Sequence, residues 1–242
     1  MSVYEQIVRG KKKKFAVLID PDKVSGKALE KMASVCQHAA ADFIFVGGSL
    51  LTRDLFDQCV QVLKNSCDRP LVLFPGNVLQ ISHRADAILF LSLLSGRNPE
   101  LLIGRHVVAA PLLKDSPLEV IPTAYLLVDG GINTTVAYMS NTQPIPADKP
   151  EIAAATALAG EMLGMKLTYL DAGSGAINPV SAKMIEQVKK ESGLPLIAGG
   201  GIRTVHQAAT AFDAGADLVV MGNKLEKNPE IAFELAEFTH KY

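Results

Sequence analysis

The sequence predicts a (β/α)8 barrel, or TIM barrel, built as one domain over residues 1–242. Three observations lead there. Eight short apolar runs recur along the chain, most of them separated by amphipathic stretches of helical period. The runs are apolar throughout rather than alternating, the pattern of parallel strands covered on both faces. Each gives way within two residues to Gly, Asp, Ser or Pro, the residue types of turns at a barrel mouth.

In order, the runs are 15–19 before Asp20-Pro21-Asp22-Lys23, 43–46 before Gly47-Gly48-Ser49, and 71–74 before Pro75-Gly76-Asn77. Then come 87–93 before Ser95-Gly96, 125–128 before Asp129-Gly130-Gly131, and 168–170 before Asp171-Ala172-Gly173-Ser174-Gly175. The last two are 196–198 before Gly199-Gly200-Gly201 and 218–221 before Gly222-Asn223. Helices are expected over 26–40, 152–163, 180–192 and 205–214, with Ser25 and Thr204 as N-caps. Only about a dozen residues separate the third and fourth runs, barely the length of a crossover with its helix. The third crossover helix is therefore expected to be missing or vestigial. Residues 130–150 are long and rich in Thr, Asn and Pro, which suits a mobile lid or active-site loop better than a domain linker.

Composition narrows the function. With 48% hydrophobic and 20% charged residues the chain can bury a large core, and a net charge of −1 leaves no footprint for nucleic acid. Four lysines at 11–14 follow a short polar N-terminal helix; they read as a solvated edge or as a contact for anionic lipid headgroups. Cys36, Cys59 and Cys67 form no C-x-x-C pair and read as buried thiols in a reducing compartment. The five histidines lack zinc-ligand spacing. The N-terminus does not resemble a signal peptide and no apolar run reaches membrane-spanning length, so a soluble, cytoplasmic protein is expected.

Barrels of this kind hold phosphate in the loops after strands seven and eight. Here those loops are Gly199-Gly200-Gly201-Ile202-Arg203 and Gly222-Asn223, where glycines let backbone N–H groups approach an anion. One such cluster reads as a tight turn; two at both expected positions point to phosphate. After strand six, Tyr169 is either a packing aromatic or a hydroxyl that reaches ligand. Asp171 is either a turn cap or a carboxylate that accepts a proton from a substrate hydroxyl. Asp20 continues the register of the first strand into the mouth, whereas Asp22 and Lys23 have turned away. With the Ser49 hydroxyl, Asp20 offers hard oxygen ligands of the kind Mg²⁺ shares with phosphate and water. No lysine lies inside a predicted strand, against Schiff-base chemistry. A flavin or sugar-phosphate barrel enzyme and a non-catalytic phosphometabolite sensor remain open at this point.

The full set of strand-end motifs, with Phe74-Pro75-Gly76-Asn77, Leu91-Ser92-Leu93-Leu94-Ser95-Gly96-Arg97-Asn98-Pro99 and Ser140-Asn141-Thr142, resembles the geranylgeranylglyceryl phosphate synthase family, in particular its second group. The resemblance spans nearly the whole chain. It implies a modified TIM barrel without its third helix. It also implies transfer of a long prenyl group from its diphosphate to the 3-hydroxyl of sn-glycerol 1-phosphate. By the same resemblance, Asp20 and Ser49 would hold Mg²⁺. Tyr169, Leu170, Asp171, Ala172, Gly173, Ser174, Gly175, Gly200, Gly201, Gly222 and Asn223 would bind glycerol 1-phosphate, with Asp171 catalytic. The family commonly carries Glu at that position, so this carboxylate is shorter by one methylene. Leu91, Leu93 and Leu94 are either ordinary core or the lining of a prenyl groove on the side left open by the missing helix. A homo-oligomer, dimer or hexamer, and transient contact with a membrane surface follow as further expectations.

Overall fold

The computed structural model describes residues 1–10 and 12–242. Eight parallel strands close into a barrel in sequence order: β1 (Lys14–Ile19), β2 (Phe43–Val46), β3 (Leu71–Leu73), β4 (Ala87–Leu93), β5 (Glu119–Leu127), β6 (Leu167–Asp171), β7 (Leu196–Gly199) and β8 (Leu218–Met221). The predicted fold class is the observed one. Strand β5 begins six residues earlier than its apolar run, because Pro122 and Thr123 interrupt the pattern without ending the ladder to β4.

The helices are α1 (Val3–Val8), α2 (Gly26–His38), α3 (Phe56–Ser66), α4 (Arg105–Lys114), α5 (Thr135–Ser140), α6 (Pro150–Met162), α7 (Ala182–Glu191), α8 (Val205–Asp213), α9 (Asn223–Lys227) and α10 (Ile231–Thr239). Thr204 caps α8 as expected, accepting from Gln207 N, whereas Ser25 stands at the cap position of α2 without making the bond. No helix joins β3 to β4 among the described residues. Residues 130–150, read as a mobile lid or active-site loop, do reach the mouth, where Thr135, Val136, Met139 and Ser140 line its cavity. The stretch carries α5, and Ile145 N donates to Leu127 O while Asp129 N donates to Ile145 O, which ties the segment to the end of β5. Ala137, Ser140 and Ile145 are buried beneath it.

Inward residues such as Phe43, Phe45, Leu89, Ile121, Ile197 and Val220 fill the barrel; a second shell lies between strands and helices. Cys36, Cys59 and Cys67 belong to that outer shell and are free. Burial pushes the thiols of Cys36 and Cys59 up to about 12, which leaves them inert.

Four equivalent positions close the base. Asp42, Asp86 and Asp217 each precede an even-numbered strand. Each donates its N–H to the carbonyl of Phe15, Leu71 or Leu196 on the preceding odd strand, and accepts that residue's N–H on Oδ2 (2.9, 2.7 and 2.7 Å). In the remaining quarter Lys166 N donates to Pro122 O, but Pro122 has no N–H to return and Lys166 no carboxylate to receive it. The basic run lies at this same end, away from the mouth. Lys13 Nζ donates to Ala216 O and Lys14 Nζ to Arg9 O and Lys12 O, as a structural edge does; Lys11 lies outside the described residues.

At the opposite end, the gap left by the missing helix is stitched by one buried side chain. Gln80 Nε2 donates to Gly48 O (2.7 Å), and its Oε1 accepts from Gly48 N and Gly76 N. The loops after β2 and β3 depend on it. Gln80→Ala leaves three backbone groups without partners and is expected to cost about 2–4 kcal/mol of stability, read from the urea midpoint.

Candidate active site

The strand ends at the mouth surround a cavity of about 560 Å³. Asp20, Ser49, Tyr169 and Asp171 line it, together with Ser174, Gly175, Gly200, Gly201, Gly222 and Asn223. Leu170 instead points outward into the outer shell, and the Ala172 and Gly173 amides are already committed to Gly199 O and Asp171 Oδ1. These three shape the loop rather than face the cavity.

Gly200 and Gly201, which line the cavity, adopt φ of +74° and +71°, a conformation that side chains resist. Among the described residues the N–H groups of Gly200, Gly201 and Gly222 meet no acceptor, an arrangement that suits an anion. Arg203 braces this cradle from behind, donating to Ile177 O and Ala176 O.

Asp171 is buried beside the cradle. The Tyr125 hydroxyl donates to its Oδ2 (2.6 Å) and Gly173 N to its Oδ1 (2.7 Å), so it is at once a turn cap and a cavity-facing carboxylate. Burial pushes its carboxyl above the ordinary carboxylate range, and the two hydrogen bonds pull it partway back. Burial, then the neighbouring Asp171 charge, drives the Tyr125 and Tyr169 hydroxyls well up, so both stay neutral. Phe74 stacks on Tyr169 (5.0 Å) and meets Tyr125 edge-on (5.8 Å), completing an aromatic wall. Neither Tyr125 nor Phe74 is a site residue by sequence: Tyr125 reads as strand core, and Phe74 enters only as the first residue of the Phe74-Pro75-Gly76-Asn77 motif.

On the other side of the mouth, Asp20 Oδ1 accepts from Asp22 N (3.1 Å), and the turn brings Lys23 back over the strand end. Lys23 therefore does not point away as its position after Pro21 suggests. Its Nζ lies 3.0 Å from Asp20 Oδ2, 3.2 Å from Asn223 Oδ1 and 3.4 Å from Ser174 Oγ. One carboxylate and one hydroxyl make a sparse, hard-oxygen donor set. No cluster of three His, Cys, Asp or Glu occurs among the described residues, so the set fits Mg²⁺ only where substrate oxygens and water complete its shell.

The cavity then leaves the barrel. Leu89, Leu91 and Leu93 line its inner part, and Ile88 and Phe90, on the opposite face of β4, line its outer part. It thus passes over the strand rim where no helix follows β3, and ends against His106, Ala109 and Leu113 of α4. Leu94 does not take part; its side chain packs beside Gly160. His106 touches Phe90 edge-on (4.3 Å), and burial lowers its pKa, leaving a neutral ring at the apolar end.

The PcrB family model matches residues 6–239. The chain belongs to the PcrB family. Its similarity to other PcrB-family proteins extends over nearly its full length. It is 54% identical to the geranylgeranylglyceryl phosphate synthase of Chitinophaga pinensis, covering 94% of this chain and 90% of that protein. It is 45% identical to the protein of the same name from Thermococcus kodakarensis, covering 93% and 88%. Among solved structures, the (S)-3-O-geranylgeranylglyceryl phosphate synthase of Thermoplasma acidophilum, in complex with sn-glycerol-1-phosphate, superposes with a TM-score of 0.94 at 35% identity, covering all of both chains. The barrel described above is therefore shared with that Thermoplasma acidophilum protein.

Proposed function

We propose that this chain transfers a geranylgeranyl group from its diphosphate to the 3-hydroxyl of sn-glycerol 1-phosphate, as one catalytic domain. The observation that carries this reading is a buried carboxylate set between a glycine-lined anion cradle and an apolar channel leaving the barrel where a helix is missing. The names of its relatives and the ligand of the Thermoplasma acidophilum structure support the same assignment.

The cradle at Gly200, Gly201, Gly222 and Asn223 holds the phosphate and so fixes the glycerol. Asp171 takes the proton of the 3-hydroxyl as its oxygen forms the ether bond to the allylic carbon. The carbon–oxygen bond to diphosphate breaks, and diphosphate leaves with the electron pair. Phe74, Tyr125 and Tyr169 face the charge that develops on the allylic carbon with neutral rings. Asp20 and Ser49 would hold Mg²⁺, which when bound neutralises charge on the leaving group. The channel past Leu91 and Phe90 to α4 takes the tail. Asp171 is shorter than the Glu common in the family, and Tyr125 fixes it at its depth. Exposed Ile103, Val107, Val108 and Leu112 on and beside α4 support self-association as a dimer or hexamer. No helix among the described residues is long and apolar enough to cross a membrane, which is compatible with work in the cytoplasm and transient contact with a membrane surface.

The test is incubation with labelled geranylgeranyl diphosphate, sn-glycerol 1-phosphate and Mg²⁺. An extractable ether-linked glyceryl phosphate is expected; its absence overturns the assignment.

A further inference from the structure

One cation stands between the two halves of the mouth. Asp20 closes β1, Ser174 lies in the loop after β6, and Asn223 follows β8; Lys23 Nζ is within 3.4 Å of all three. Ser174 Oγ also donates to Asn223 Oδ1 (3.1 Å), so the phosphate loops and the end of β1 share one network. An ammonium has three donors, and here three acceptors meet it. Lys23 is placed there by a turn, since Lys23 N and Val24 N both donate to Asp20 O. Its side chain is 43% exposed, so the stem is free to swing.

We propose that Lys23 couples metal binding at Asp20 to phosphate binding at Ser174 and Asn223, releasing the carboxylate as it moves onto the arriving phosphate. The proposal rests on the assignment of those two half-sites made above. Without ligands, Lys23 pairs with Asp20 while the carboxylate of Glu226 lies close enough to act on both, and a divalent cation has to displace the ammonium from Asp20. Once displaced, the ammonium is repelled by the metal and needs an anion. The acceptors it already touches lie beside the amides that receive the phosphate. Metal and glycerol phosphate therefore each favour the other, and the coupling is the same whichever binds first. The device also explains why so sparse a metal site is found beside a lysine: Asp20 is offered to the metal only when substrate is present.

Calorimetric titration of sn-glycerol 1-phosphate, with no metal and with saturating Mg²⁺, measures the coupling without turnover. The wild-type protein is expected to bind the phosphate about 5-fold or more tightly with Mg²⁺, at the lower end of typical couplings between sites. Lys23→Met should bind it equally with and without the metal, and Lys23→Arg should keep the metal effect. Asp20→Asn should lose that effect in either background. If Lys23→Met shows the wild-type metal effect, Lys23 is not the coupler, and the half-site assignments stand. If the wild-type protein binds no glycerol phosphate under either condition, or Asp20→Asn keeps the metal effect, the assignments fail and the coupling with them.

Discussion

Asp171→Asn is expected to lower turnover by about 10²–10⁴-fold, the usual worth of a positioned base, while glycerol phosphate still binds. The amide keeps the shape: its Oδ1 can still accept from Gly173 N, while its Nδ2 donates to the Tyr125 oxygen and reverses that bond, so binding measured by calorimetry should change little. The same variant should be more stable than the wild type at pH values above the raised pKa of the folded carboxyl. Burial holds the folded carboxyl above its unfolded pKa. The folded state therefore binds more protons between the two values, and stability is lost as pH rises through the folded one. An amide carries no such penalty, so its melting temperature should exceed the wild type's by about 2–4 °C for each kcal/mol recovered. The raised carboxyl also places the acid limb of the wild-type rate profile above the ordinary carboxylate range. Tyr125→Phe removes a hydrogen bond that pulls that carboxyl down, and should move the limb to still higher pH. A limb left in place by this change would detach the rate from Asp171, and unchanged turnover in Asp171→Asn would remove it from the chemistry.

Gly200→Ala should break the anion cradle. Its Cβ would lie 2.5 Å from Asp171 Oδ1 and 2.5 Å from Gly173 N, at a φ of +74°. Neither neighbour can yield, because each holds the other. Relief comes only by moving the strand-seven loop away from the strand-six loop, which opens the anion cradle. We expect a loss of glycerol phosphate affinity of about 100-fold or more and destabilisation of about 1–3 kcal/mol. Gly164→Ala is the control: its φ is +85°, but nothing lies within 4 Å of the new methyl. It should show the conformational cost alone, with binding intact. Equal loss of binding in both variants would mean that the loops at the mouth do not form the cradle.

The barrel was legible because its signals are local and repeated. A parallel strand buried on both faces has to be apolar throughout, and its exit has to turn, so eight runs with eight exits suffice to place the mouth. The missing helix was visible as a length, since 12 residues around Pro75 and Gly76 leave no room for one. The two glycine clusters and the acid after β6 were visible for the same reason. What was hidden depends on which face a residue takes or on partners far along the chain. Tyr125 reads as strand core, and only closure of β5 against β6 sets its hydroxyl on Asp171. Leu91 and Leu94 are indistinguishable in sequence, although only the first reaches the cavity. Lys23 was misread because a single turn reverses its direction. Gln80 looks like loop filler until the helix beside it is known to be absent. The base lock does leave a trace in the sequence: Ala-Asp stands before the second, fourth and eighth runs, at 41–42, 85–86 and 216–217.

Those aspartates have a consequence for how such a chain can change over time. Each joins neighbouring strands at the end of the barrel remote from substrate, by backbone bonds that ignore what the loops at the far end contain. Drift in the loops can therefore alter which anion or tail is accepted without loosening the frame that carries them. The quarter built on Pro122 and Lys166 lacks this lock. It also supplies Tyr125 and Asp171, so the carboxylate proposed as the proton acceptor stands on the quarter that carries no aspartate lock.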